Sequence, residues 1–152
     1  MMKNNYLKFA LMMACSFVFM YAAMFFNVNE LDHIYISESR TFMAFYMVAP
    51  MAVIMLLFML GMYTNKKINT LIIVGGIVVG LGAVFLLRTQ TTVKDVQYMK
   101  AMIPHHSIAI LVSENATFED PETAKLAKEI IEAQKREIAQ MERIIERLEN
   151  EK

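Results

Sequence analysis

The chain of 152 residues has one cysteine, no tryptophan and three histidines, and its 15 basic residues balance 15 acidic ones. A lone Cys15 can build neither an intrachain disulfide framework nor a thiolate zinc finger. Set inside an apolar run, it reads as a small helix-packing residue. A neutral total without a basic patch removes the electrostatic footprint of a nucleic-acid partner. Charge is also scarce before position 88 and plentiful after it. At 57% hydrophobic residues, the chain is too apolar for an ordinary soluble domain of its size.

Three runs nearly free of charge carry that apolarity: Leu7–Phe26, with Lys8 at its edge, then Phe42–Tyr63 and Ile68–Leu87. Each is about 20 residues long, the length that crosses a hydrocarbon core of roughly 30 Å. None shows the polar face of a core helix in a soluble protein, so the runs predict three transmembrane helices. "LMMAC" loosely resembles a lipoprotein cleavage site, but the chain stays apolar beyond Cys15 where a processed lipoprotein turns polar. Lys3 and Lys8 precede the first span, and Lys66 and Lys67 fill the second loop. The first loop carries Glu30, Asp32 and Glu38 against Arg40. The positive-inside rule then predicts a cytoplasmic N-terminus and an extracytoplasmic first loop and C-terminal region. Residues 1–88 form the membrane region and residues 89–152 an external domain.

The external domain reads as two helices. Thr92 with Asp95 three residues later forms a capping-box pattern, and Asn115 can close the helix. Asp120 as N-cap and Pro121 at the first helical position restart it, and the second helix should run nearly to the C-terminus. A short connection predicts an antiparallel hairpin. At roughly 100° per residue, Asp95, Met99, Met102, His106 and Ile110 share a stripe, with His105 at its edge. On the second helix the expected apolar face is Leu126, Ile130, Ala133, Met141, Ile144, Ile145 and Leu148, and Gln134 and Glu137 interrupt it. A buried amide without partners costs about 2–7 kcal/mol. Partners are therefore required, and the facing helix offers His106 and Asp95. Taken singly, a histidine or methionine on such a face is core. Taken together, imidazole nitrogen and thioether sulfur form a soft donor set that suits copper(I).

The stretches "DVQYMKAMIPHHSIAI" and "DPETAKLAKEIIEAQKREIAQM" resemble the ferritin-like family known as domain of unknown function 305. Its pattern falls on Asp95, Tyr98, Met102, His105, His106, Asp120, Pro121, Ala127, Gln134, Glu137, Ile138 and Met141, across about residues 92–145. The membrane part lies outside that match. The resemblance implies a helical bundle and, by its periplasmic or secreted copper-binding members, a metal site in which Met102, His105, His106 and Met141 are the ligand candidates. Asp95, Met99, Gln134 and Glu137 would surround them. Ser107 stands where many members have Gln or Glu, and Leu111 or Val112 where a further Met is common.

The expectation is therefore an all-α protein of the bacterial plasma (inner) membrane. Three transmembrane helices precede a ferritin-like two-helix hairpin that dimerises into a four-helix bundle, because two helices alone cannot enclose a core. Gly76 and Gly80 can bring membrane helices close, within a chain or between chains. Met43, Met47, Met51, Met55 and Met59 form a ladder on the second span, best explained by flexible packing. The acidic first loop with His33 reads as solvated. The expected function is copper(I) sequestration, resistance or hand-over to an unidentified donor or acceptor protein, without catalysis. The alternative is a structural or sensory module held by a buried polar network. A di-iron oxidase is a weaker rival, because no Glu stands three residues before His105 or His106.

Overall fold

A computed structural model describes residues 2–151. Five α-helices follow one another: α1 Met2–Ala23, α2 Glu38–Phe58, α3 Lys66–Thr89, α4 Asp95–Asn115 and α5 Pro121–Asn150. A single 3-10 turn, Leu31–His33, interrupts the connection between α1 and α2, and no strand occurs among the described residues. The chain divides into two compact units. One holds α1 and Ser39–Thr92; the other holds Met24–Glu38 and the chain from Val93 onward.

In the first unit, Asn5–Ala23, Glu38–Phe58 and Lys66–Thr89 are each long and apolar enough to cross a membrane. They expose large apolar side chains such as Phe19, Leu71 and Phe85, as lipid-facing helices do and water-soluble ones avoid. Pro50 lies inside α2 without ending it. Gly76 sits where a Cβ would come 2.6 Å from Val53 Cγ2, and Gly80 faces Ala49 Cβ at 3.6 Å. Both glycines therefore serve α2–α3 packing within one chain. Near one end, Phe9, Leu56 and Tyr63 form a core with Met12, Met13, Met55 and Met59 packed on it. The lower rungs of the methionine ladder are thus packing residues. The Tyr6 hydroxyl donates to Asn69 Oδ1 at 2.8 Å and accepts the Asn65 N–H at 2.9 Å, tying α1 to the start of α3.

In the second unit, α4 and α5 pack around Met99, Ile103, Ile110, Ile138 and Ile145. Lys100–Glu149 at 2.6 Å ties the first half of α4 to the end of α5, and Lys135–Glu114 at 2.8 Å ties the end of α4 to the middle of α5, in a common antiparallel register. Asp120 caps α5 as its sequence predicts, its side chain accepting the Thr123 N–H at 2.7 Å and the Thr123 hydroxyl at 2.8 Å. Asn115 ends α4, its side-chain amide donating to the Leu111 carbonyl. The start of α4 differs from expectation. Lys94, not Thr92, is the N-cap, and no side chain caps the helix. The left-handed Gln90 ends α3 (φ 52°), and the turn after it takes up Thr91 and Thr92, so no capping box forms.

The apolar face of α5 also needs correction. Ala127, Ile138 and Ile145 are its buried centre, whereas Leu126 and Ile130 remain 54% and 36% exposed. The central line of contact with α4 runs about 60–100° to one side of those two residues.

Candidate metal-binding groove

The donors meet where α4 and α5 cross at mid-height. His106, buried on α4, has Nδ1 2.9 Å from the Met102 carbonyl oxygen, one helical turn back. An imidazole held this way donates Nδ1–H to the carbonyl and turns Nε2 outward, the usual device for fixing the tautomer of a metal-ligating histidine. Nε2 lies 2.7 Å from Glu137 Oε2 on α5. Glu137 is not buried: its side chain is 55% exposed. The pairing expected from sequence is present, but the carboxylate sits at the edge of the seam. In the absence of a metal, the Glu137 carboxylate stands against Nε2 on this outward side.

Beside this pair runs an open groove of about 610 Å³. Met99, Met102, Met141, Ile144 and Leu148 contribute its apolar lining. Asp95, Tyr98, Glu137, Gln140 and Arg147 supply polar edges. Of the expected ligands, Met102, His106 and Met141 thus share one groove, with Asp95, Met99 and Glu137 around them. His105 does not join them; it is exposed, its ring centroid 6.5 Å from that of His106. One position along a helix rotates the side chain by about 100°, enough to carry His105 off the groove. Gln134 is half-buried and lies outside the lining. Among the described residues no group of three or more His, Cys, Asp or Glu is arranged to hold a metal ion. What one chain offers is a single imidazole in a groove shared with the thioethers of Met99, Met102 and Met141, with the carboxylates of Asp95 and Glu137 at its edges. That set fits a soft monovalent ion better than a hard divalent one.

The other flank of the hairpin is covered by the first loop, which the sequence reading left in solvent. Ser107, fully buried, accepts the Asn29 N–H at 2.6 Å and shares a hydrogen bond with His33 Nδ1 at 2.9 Å. His33 is itself buried, and Tyr35 packs on the hairpin core. Burial, reinforced by the charge of Glu142, raises the Tyr35 hydroxyl above the ordinary phenol value. Glu30, His33, Lys135 and Glu142 border a small cavity of about 210 Å³ on this flank. The small Ser107 side chain leaves room for the loop to dock against α4.

A family model described as "Domain of unknown function (DUF305)" matches residues 59–151. The match begins before α3, so it takes in that apolar helix as well as the hairpin and is wider than residues 92–145. The chain is also similar to "Uncharacterized protein L153" of Acanthamoeba polyphaga mimivirus, 34% identical over 140 residues that make up 90% of each chain. No solved structure matches.

Proposed function

The chain belongs to the DUF305 family, and we propose that it is a membrane-anchored copper(I)-binding protein acting in sequestration, resistance or hand-over. The observation that carries this reading is the His106 ring. Its Nδ1 is fixed on the Met102 carbonyl at 2.9 Å, and its Nε2 turns outward to Glu137 beside the thioethers of Met102 and Met141. Bound copper(I) would take Nε2 and the two sulfurs, displacing the Nε2–Glu137 contact. Glu137 and Asp95 would balance the charge. His105, facing outward, is the donor best placed to receive or pass on an ion at the surface. The three spans would lie in a bacterial plasma membrane, with the N-terminus cytoplasmic and the hairpin outside, as the lysines at positions 3, 8, 66 and 67 argue.

A second reading has its own support. Nε2 already spends its hydrogen bond on Glu137 at 2.7 Å, so the pair can set helix register without metal. The two separate cleanly. Purified protein titrated with copper(I) against a chromophoric chelator should compete for the ion, and the joint substitution Met102→Leu with His106→Ala should abolish the competition while helix content holds. Equal competition by that variant would leave the register reading standing.

A further inference from the structure

The stripe of α5 that borders the groove is symmetric about one residue. Leu126, Ile130 and Ala133 precede Glu137 at intervals of four, three and four residues, and Met141, Ile144 and Leu148 follow it at the same intervals in reverse order. At roughly 100° per residue these seven side chains form one band, set about 80° from the buried centre at Ala127, Ile138 and Ile145. The first loop covers the opposite flank, where Lys135, Ala139 and Glu142 face His33 and Glu30. On the band itself, Leu126 and Ile130 are exposed and the other five are exposed or half-buried.

A band with mirror-image spacing matches itself when a second copy is laid against it in the opposite direction. Glu137 then falls on the two-fold axis, Leu126 meets Leu148, Ile130 meets Ile144 and Ala133 meets Met141, the isologous geometry of a symmetric dimer. Charge selects the same direction. The edge just beyond the band carries Glu122 and Glu129 in its first half and Gln140 and Arg147 in its second. Antiparallel pairing lays this edge against its own copy and sets Glu129 near Arg147. Their contacts within one chain, Lys125–Glu129 at 3.9 Å and Arg147–Glu151 at 3.3 Å, are exposed and hold them only weakly. Two Glu137 carboxylates at the axis repel unless a cation lies between them. Each arrives with His106 Nε2 at 2.7 Å.

We propose that two copies of this chain pair through antiparallel α5 helices with the two-fold axis at Glu137, and that the metal site is completed across that axis. His106–Glu137 from each chain then supply together the donors that one chain lacks. The pairing stands on the α5 pattern alone, and the shared site rests in addition on the copper reading.

The test uses the full chain in detergent, in a Cys15→Ser background, with chelator present and a short bis-thiosulfonate cross-linker. Glu137→Cys should cross-link to itself. Leu126→Cys and Leu148→Cys should each fail alone and cross-link when co-expressed, as should Ile130→Cys with Ile144→Cys, which leaves Glu137 intact. Self-linking of Leu126→Cys, or failure of both mixed pairs, would overturn the interface. For the shared site, one copper(I) per two chains should lower the dimer dissociation constant of the Cys15→Ser protein about tenfold by sedimentation equilibrium. An unchanged constant with copper bound would overturn the sharing. If dialysis shows no copper bound at all, sharing falls together with the metal reading, while the cross-links decide the interface by themselves.

Discussion

Replacing Ser107 by alanine removes a single oxygen and orphans two groups at once. The Asn29 N–H loses its acceptor at 2.6 Å, and His33 Nδ1 loses its partner at 2.9 Å. The cavity left behind is no larger than a hydroxyl, so the cost is polar. An unsatisfied buried group costs about 1–3 kcal/mol. His33 is buried and Asn29 half-buried, so the sum should fall at about 2–4 kcal/mol. The loop can recover that loss by opening to water at Asn29 and His33, while the packing of Tyr35 and the Glu38 N–H donated to Gln97 Oε1 hold its far end. Opening should therefore become at least about thirtyfold more frequent, since each 1.4 kcal/mol is a factor of ten. Amide hydrogen exchange read by mass spectrometry reports this directly. Peptides within residues 24–38 should lose protection in the Ser107→Ala variant, while peptides from the middle of α5 serve as the internal reference. Unchanged exchange in the loop would refute the latch. Uniform loss across α5 as well would show that Ser107 supports the whole hairpin, not the loop.

Further expectations follow from individual contacts. Gly76→Ala should lower thermal stability in detergent by about 1–3 kcal/mol through overpacking against Val53. Gly75→Ala, with open space around its Cβ, should not, and adding Val53→Ala should restore the Gly76 variant. Asp120 is held below the ordinary carboxylate range, chiefly by the Thr123 N–H and then by the Thr123 hydroxyl. Its folded value lies below its unfolded one, so its contribution to α5 is full above the unfolded value and is lost as pH falls through the folded one. Asp120→Asn, an equally good cap that does not titrate, should flatten that acid limb in melting curves, and an identical limb in both proteins would count against the cap. Protease added to intact spheroplasts should remove the chain beyond about Arg88, whereas protection until lysis would reverse the orientation.

Much of this architecture is legible in the sequence because it follows from local rules. Three nearly uncharged runs of spanning length need no tertiary information. Asp120–Pro121 and Asn115 carry their capping chemistry in their own side chains, and the helix ends fall on them. The start of α4 misled because Thr92 and Asp95 have the right spacing, yet the turn after Gln90 consumes Thr92. The His106–Glu137 pair was legible as two polar residues on facing apolar stripes. That Glu137 stays exposed was not, since the angle at which α5 meets α4 decides which residues lie at the seam centre. The largest omission is His33 with Ser107. They are 74 residues apart, and no pattern along a chain reports that a loop between two spans will fold onto a helix much farther on.

On the proposed function, copper(I) meets nitrogen and sulfur together in the groove. X-ray absorption at the copper edge of the loaded, purified protein measures that first coordination sphere. The prediction is an imidazole scatterer from His106 with thioether sulfur from Met102 and Met141, and loss of the sulfur shell when both methionines become leucine. A shell of oxygen and nitrogen alone, or a sulfur shell that survives the double substitution, would contradict it.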